Sequence, residues 1–464
     1  MTSMSREMAE FAHGLQFKDI PQEAVHAAKR SMVDSMGCAL AATGNEDMQA
    51  MYRFIEKLGG TPEATVIGKD LRTNAPNAAL INGLLIRALD YNDSYWQQDP
   101  SHPSDLIGTA LAAAEANGKG GRDALVAIIL GYELELRWCH AARPGIREVG
   151  WHHASLTQFV SPLVAGKLYG LDIDQLVAAV GISGSSHFTL GGVVAGHLTN
   201  MKNTADPMAA QAGICAALMA REGYTGPVGV IEGKEGLIEV LNNVRWNTDE
   251  LLRGLGKEFL ITRCSHKPFP TMKLTHEPIT AALRVCSDHA IVPDEVKEIL
   301  VETTSRAVDI LADPGKYAPD TKETADHSLP YVIAAAVMDG TVLPTSFSVR
   351  RLHDVRLRDL TRRVKVVANP EIDALFPKVK RARVTITTVT NQQYTAQTDV
   401  AKGDPEDPLT DDEIVAKFQA NAEEYISEQR IDEIIQATWR FESLESVSDF
   451  MALFVKPSSN CATR

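Results

Sequence analysis

The sequence predicts a mainly α protein with a smaller α+β part, on three observations. Residues 1–256 repeat apolar side chains at helical spacing with abundant Ala and Gly, β-branched runs are confined to 296–400, and helical spacing returns after the turn-rich 403–408 stretch. Pro21 opens a helix over 22–42, since proline suits a helix start. The small, apolar run 78–89 reads as a buried helix that delivers Asp90 and Asp93 into a polar loop, and the same pattern resumes over 106–115. Ser101 or Ser104 fits as the N-cap of that second helix, with Asp105 favouring its N-terminus. Helical spacing continues over 124–142, 155–168, 174–183 and 207–221, where small residues let helices approach closely, until Gly223-Tyr224-Thr225-Gly226-Pro227 breaks it. Composition shifts near Phe259. The runs 296–304, 363–367 and 382–389 predict strands, and 393–400 pairs with the last across Thr390-Asn391-Gln392 as a hairpin. Helices are expected over 276–288, 326–339, 411–421 and 430–437; if the last two fold back on the first domain, the α+β part is an insertion.

A chain of 464 residues exceeds one ordinary core, and 44% hydrophobic content is that of a globular protein. The formal charge of −14 argues against nonspecific binding to nucleic acid or an anionic membrane surface, while leaving room for a local basic pocket. The cysteines at 38, 139, 215, 264, 286 and 461 form no CxxC pair, which disfavours a zinc ribbon or an iron–sulfur site and fits free thiols in a reducing compartment. The polar N-terminus lacks a signal-peptide stretch and no run is apolar enough to cross a bilayer, so the cytoplasm is the expected location.

Several polar constellations can carry chemistry. Asp90-Tyr91-Asn92-Asp93 and His102-Pro103-Ser104-Asp105 gather carboxylates, an imidazole and hydroxyls between two buried helices, where a scaffold can position them; an ordinary capped helix-loop-helix competes evenly. Gly150-Trp151-His152-His153 offers two imidazoles able to exchange protons near neutral pH. Adjacent residues point in different directions, so one of the two is expected to face a substrate, and a hydrogen-bonded cap or core histidine is the commoner reading of the motif alone. Lys202, in Asn200-Met201-Lys202-Asn203-Thr204-Ala205-Asp206, can clamp a carboxylate if partly desolvated, though a solvated lysine is commoner. Lys267, in Arg263-Cys264-Ser265-His266-Lys267-Pro268-Phe269-Pro270, lies where the chain passes between domains; His276 follows at a helix start. Tyr317 sits in a polar stretch that continues to Thr324-Ala325-Asp326-His327, where Thr324 or Asp326 fits as a helix cap. There is no P-loop, no Gly-x-Ser-x-Gly elbow, and no βαβ context for the Gly-rich 181–192 segment.

Together these segments resemble the MmgE/PrpD family. The resemblance rests on Asp34-Ser35-Met36-Gly37-Cys38, Leu89-Asp90-Tyr91-Asn92-Asp93, His102-Pro103-Ser104-Asp105, Gly131-Tyr132-Glu133, Gly150-Trp151-His152-His153, Gly223-Tyr224-Thr225-Gly226-Pro227, Lys267-Pro268-Phe269-Pro270 and Thr324-Ala325-Asp326-His327-Ser328-Leu329-Pro330-Tyr331, in that order along nearly the whole chain. It implies a large helical domain built from both chain ends (1–258 with 408–464), a smaller α+β lid domain (259–407), a homodimer, and a site in the cleft that uses neither cofactor nor metal. It implies catalytic roles for Asp90, Asp93, His102 and either His152 or His153, and substrate-binding roles for Lys202, Lys267 and His276; Tyr317 is added as a binding candidate. The implied activity is a lyase acting on a small di- or tricarboxylic acid, first of all dehydration of 2-methylcitrate to 2-methylaconitate. Decarboxylation of cis-aconitate and epimerisation of an acid such as iminodisuccinate use the same kind of base and clamp, and a noncatalytic carboxylate-binding scaffold is the reading from another class.

Overall fold

The computed structural model describes residues 3–455, so Cys461 lies outside the described residues. It is mainly α with a smaller sheet-containing part, organised around two apolar cores. The larger core gathers buried side chains from Met4 to Cys264 and again from Leu409 to Phe454. The second runs from Met272 to Ile386 and borrows Trp96 from the first stretch.

Helix Gln22–Ala42 follows Pro21 as the sequence predicts. Helix Ala75–Arg87 starts where the Asn74 side chain accepts from Asn77 N, and every one of its residues is buried. It is flanked by Asp105–Ala116 and Met201–Arg221, whose small residues permit the approach. A Cβ added to Gly108 would lie 2.9 Å from Gly83 N, and one on Gly83 would touch Pro207 at 3.5 Å. Buried leucines such as Leu84 and Leu85 each contribute about 1.5–3 kcal/mol to this interface.

Local chemistry explains where expected elements shift. The expected 155–168 helix is two pieces, Ala154–Thr157 and Ser161–Tyr169, because Pro162 has no N–H to continue the ladder and serves instead near a new start. The expected 207–221 helix begins earlier, at Met201, with Pro207 inside it; packing of the proline ring against Gly83 overrides its helix-breaking tendency. Ser328 caps Leu329–Asp339 and Thr321 caps Lys322–Ala325, so neither Thr324 nor Asp326 is a cap. Ser104 precedes Asp105–Ala116 without a side-chain capping bond, its hydroxyl accepting instead from Asn92 Nδ2 at 2.9 Å.

The second core packs under a four-stranded sheet in the order 393–398, 382–388, 296–303, 364–368. Val296–Thr303 runs antiparallel to Ala382–Thr388, with Ile299 opposite Ile386 and Val301 opposite Val384, and parallel to Val364–Ala368. Those four apolar residues are the buried face of the alternation. Asn391, at φ 64°, makes the hairpin turn, a left-handed position that asparagine tolerates.

Three passes of the chain meet between the cores. Ser94 and Ser265 exchange backbone hydrogen bonds of 2.9 Å, and His266 N donates to Gly403 O at 2.9 Å. Gly403 has φ 93°, and a Cβ there would fall 2.0 Å from His266 O, so only glycine fits. This junction fixes Lys267 beside the Asp90 loop. Among the described residues no helix is long and apolar enough to cross a membrane.

Candidate active site

Asp90 is the hub of a cavity between the cores. It leaves helix Ala75–Arg87 in a left-handed turn, φ 49°, which is costly for a residue with a Cβ and held here by ion pairs. Its carboxylate takes Arg87 and Lys267 on Oδ1, the latter at 2.8 Å, and Lys202 on Oδ2 at 3.2 Å. Lys267 Nζ also donates to Asp90 O at 3.0 Å, whereas Lys202 Nζ makes no hydrogen bond among the described residues. Burial alone would raise the Asp90 pKa, but Lys202, Lys267 and Arg87 hold it well below the usual range. Burial brings Lys267 down to about 8 against the attraction of Asp90, with Arg87 and Lys202 adding to the shift, and burial also lowers Lys202 against the attraction of Asp326 and Asp90. The arrangement is braced from the chain's far end, where Lys417 Nζ in helix Asp411–Ala422 donates to Asp34 Oδ1 at 2.6 Å, Tyr91 O at 2.7 Å and Lys267 O at 2.9 Å.

Four histidines face this cavity: His102, His152, His153 and His327. His102 Nδ1 lies 2.8 Å from Asp93 O, which makes it the donor and leaves Nε2 as an acceptor. Burial, with Arg87 and Lys267, pushes the His102 pKa well below that of a free imidazole, so the ring is neutral and able to take a proton. His152 is likewise depressed by burial and by His153, and its Nδ1 accepts from Ala154 N at 3.3 Å. The His152 and His153 ring centroids lie 3.9 Å apart with the rings tilted by 35°, and His153 Nε2 is 3.4 Å from Asp206 Oδ2. Both adjacent histidines therefore line the cavity, because the turn into Ala154–Thr157 brings their rings to one side rather than alternating them as a strand would.

Other expected site residues stand further back. The Asp93 carboxylate accepts from Tyr132 OH at 2.6 Å and Ser104 N at 3.3 Å, so Asp93 reaches His102 through its carbonyl and not its carboxylate. His276 does not line the cavity: its Nε2 donates to Thr271 O at 3.2 Å and its ring packs edge-on to Phe269, since the first turn of its helix faces inward to the second core. Tyr317 is also outside the lining, half-buried near Val366 of the sheet. Sequence reasoning passed over Arg87, Arg147, Lys273 and His327, all of which line the cavity. His327 was legible as the neighbour of Asp326: its Nδ1 donates to Asp326 Oδ1 at 2.6 Å, and burial with Lys202 brings its pKa to about 4. Arg87 was hidden inside an apolar helical run.

Among the described residues, two groups of side chains have the spacing to hold a metal ion, His152-His153-Asp206 and Asp90-Asp326-His327. The second is already satisfied by Lys202, Lys267 and Lys322. What the cavity offers without a metal is a neutral imidazole base, two buried ammonium groups able to hold and stabilise a carboxylate, and further imidazoles to donate a proton.

Comparison with known proteins agrees with this chemistry. The mouse (Mus musculus) cis-aconitate decarboxylase is 25% identical over 99% of this chain and 94% of its own length, and a cis-aconitate decarboxylase-like protein of Aspergillus oryzae is 27% identical over 97% of each. A probable 2-methylcitrate dehydratase of Saccharomyces cerevisiae is 25% identical over 81% of this chain and 72% of its own length. These relatives make a carboxylic-acid lyase the coarse description of the chain. Residues 6–248 match the MmgE/PrpD N-terminal domain and residues 269–440 the MmgE/PrpD C-terminal domain, and the chain belongs to the MmgE/PrpD family.

Proposed function

We propose that the protein is a cofactor-independent hydro-lyase that dehydrates a small tricarboxylic acid of the 2-methylcitrate type. The observation that carries this reading is His102: a neutral imidazole whose Nδ1 is occupied by Asp93 O and whose Nε2 is left to accept a proton beside Lys202 and Lys267. In the proposed reaction Nε2 takes the proton from the carbon next to a carboxylate. The electron pair moves onto that carboxylate, where Lys202 and Lys267 stabilise the added charge. The pair then returns to form the carbon–carbon double bond as the neighbouring C–O bond breaks, and His153, which faces the Asp206 carboxylate, gives a proton to the departing hydroxyl, which leaves as water. Removing one such stabilising donor costs about 3–4 kcal/mol in comparable sites.

Decarboxylation of cis-aconitate is the second reading, supported by relatives of that name that align over nearly the full chain while the dehydratase aligns over less. The test is to assay metal-stripped protein with 2-methylcitrate, citrate, cis-aconitate and iminodisuccinate. Water loss from 2-methylcitrate is expected; carbon dioxide release from cis-aconitate without any hydration chemistry would replace the dehydratase reading with the second. The working unit we propose is a homodimer, for which Met201, Met208 and Met219, exposed along one helix, supply an apolar face. Light scattering that returns the mass of a single chain would reject it.

A further inference from the structure

Of the two groups spaced to hold a metal ion, Asp90-Asp326-His327 has lysines around it, whereas among the described residues Asp206 of the other group has no ion-pair partner but His153. Separate elements hold this second group in place. His152 and His153 lead into helix Ala154–Thr157, with His152 N donating to Thr189 O at 2.9 Å. Asp206 lies in helix Met201–Arg221, where the next residue, Pro207, packs on Gly83. All three side chains are buried, and the two imidazoles line the cavity.

The spacing within the group is that of ligands, not of hydrogen-bonded partners. His153 Nε2 and Asp206 Oδ2 are 3.4 Å apart, beyond the ~2.7–2.9 Å of a charge-assisted hydrogen bond. Neither atom has a hydrogen-bond partner among the described residues. Two donors that each stand about 2.0–2.1 Å from a tetrahedral ion are about 3.3–3.4 Å from one another, the separation found here. The donor from His152 lies within 4.8 Å of the other two. That ring is tied by a long contact, 3.3 Å from Ala154 N to Nδ1, so a small rotation completes the set. Buried polar atoms without partners are costly, and an ion that takes a lone pair from each removes the cost.

We propose that His152, His153 and Asp206 form a binding site for a divalent transition-metal ion of the Zn²⁺ or Co²⁺ kind, with water from the cavity as the fourth ligand. Two imidazoles and one carboxylate suit ions of this class; the set has no thiolate to select copper(I) and too few oxygens for Ca²⁺ or Mg²⁺. The adjoining cavity offers about 50 Å³ to water-sized occupants, enough for that fourth ligand. An ion on His153 Nε2 takes the place of the proton there, so the ring no longer carries the second N–H that makes it an acid. The site is therefore inhibitory, and the metal-free protein is the active form. That consequence rests on the role given to His153 in the proposed reaction; the binding itself does not.

The test is titration of untagged, metal-stripped protein with Co²⁺, read from the visible absorption of four-coordinate cobalt, with Zn²⁺ as competitor. One Co²⁺ per chain, displaced by Zn²⁺, is expected. Asp206→Asn and His153→Gln each remove a ligand and are expected to weaken binding by more than the ~10–100-fold that loss of a supporting contact costs. The two variants lie on different elements, so one serves if the other folds poorly. No cobalt uptake by the unaltered protein overturns the site and leaves a plain His153–Asp206 ion pair; uptake that neither variant changes overturns it as well. In turnover, Zn²⁺ is expected to inhibit the unaltered protein and a chelator to restore it. Zinc bound at the site with turnover undiminished overturns the inhibition and removes His153 as the acid. A protein that turns over none of the acids tested fails the lyase reading, while the cobalt spectrum still decides the site.

Discussion

His102 and Lys267 lie close together, yet pH is expected to act on them in opposite ways. His102 is neutral because burial and nearby cations depress its pKa, so loss of the base by protonation is confined to pH well below 6.5. Lys267 is charged below its pKa of about 8 and neutral above it, and a carboxylate clamp needs the charge. The value of kcat/KM is therefore expected to fall as pH rises through about 8, and Lys267→Arg, whose guanidinium stays charged, to carry that limb to higher pH. A basic limb that stays in place in the arginine variant would assign it to another group. His102→Ala is expected to lower kcat by about 10²–10⁴ with little change in thermal melting, since the half-buried ring gives up one hydrogen bond. Turnover equal to that of the unaltered protein would exclude His102 as the base.

At the scale of elements, the site depends on how closely helices approach. Gly108→Ala places a Cβ 2.9 Å from Gly83 N, in the interface that carries Arg87 and Asp90 at its end. The expected cost is about 1–3 kcal/mol, read from the denaturation midpoint; an unchanged midpoint would mean that the two helices slide apart freely. Lys417→Met leaves Asp34 buried without its partner and is expected to cost about 3–5 kcal/mol. Such packing marks the limit of what the sequence discloses. Helix Gln22–Ala42 and the hairpin around Asn391 were legible because periodicity and turn chemistry are local. Asp90, His102, Lys202 and Lys267 were legible as polar groups that an apolar scaffold must hold for some purpose. Pro207 inside a helix was not, because its tolerance comes from Gly83, over a hundred residues away in sequence. His276 was misplaced for a related reason: its position at a helix start is local information, whereas the direction of its ring toward Thr271 O is set by the second core.

For the whole molecule, the cavity offers about 50 Å³ to water-sized occupants, room for about three to five waters at ~10–15 Å³ each. A substrate of several carboxylates is expected to widen it by moving the two cores about the junction of Ser94, Ser265 and Gly403 that joins them. Free and tricarballylate-bound crystal structures are expected to differ in the angle between the cores; superimposable positions would place the widening in side chains alone. The division of labour between the cores follows the same line. The helical part supplies the base and Lys202, and the part beyond the junction supplies Lys273 and His327, so neither closes the cavity by itself.

Lys417 sets the order in which a newly made chain becomes competent. Its partner Asp34 is made 383 residues earlier, an interval of about 20–80 s at a ribosomal pace of 5–20 residues per second. Asp34 waits through that whole interval, and Tyr91 O and Lys267 O, made 326 and 150 residues before Lys417, join it on the way. A chain that stops short of Lys417 lacks the ammonium that braces the site's frame, and so does one that has lost helix Asp411–Ala422, although Lys417 does not itself line the cavity.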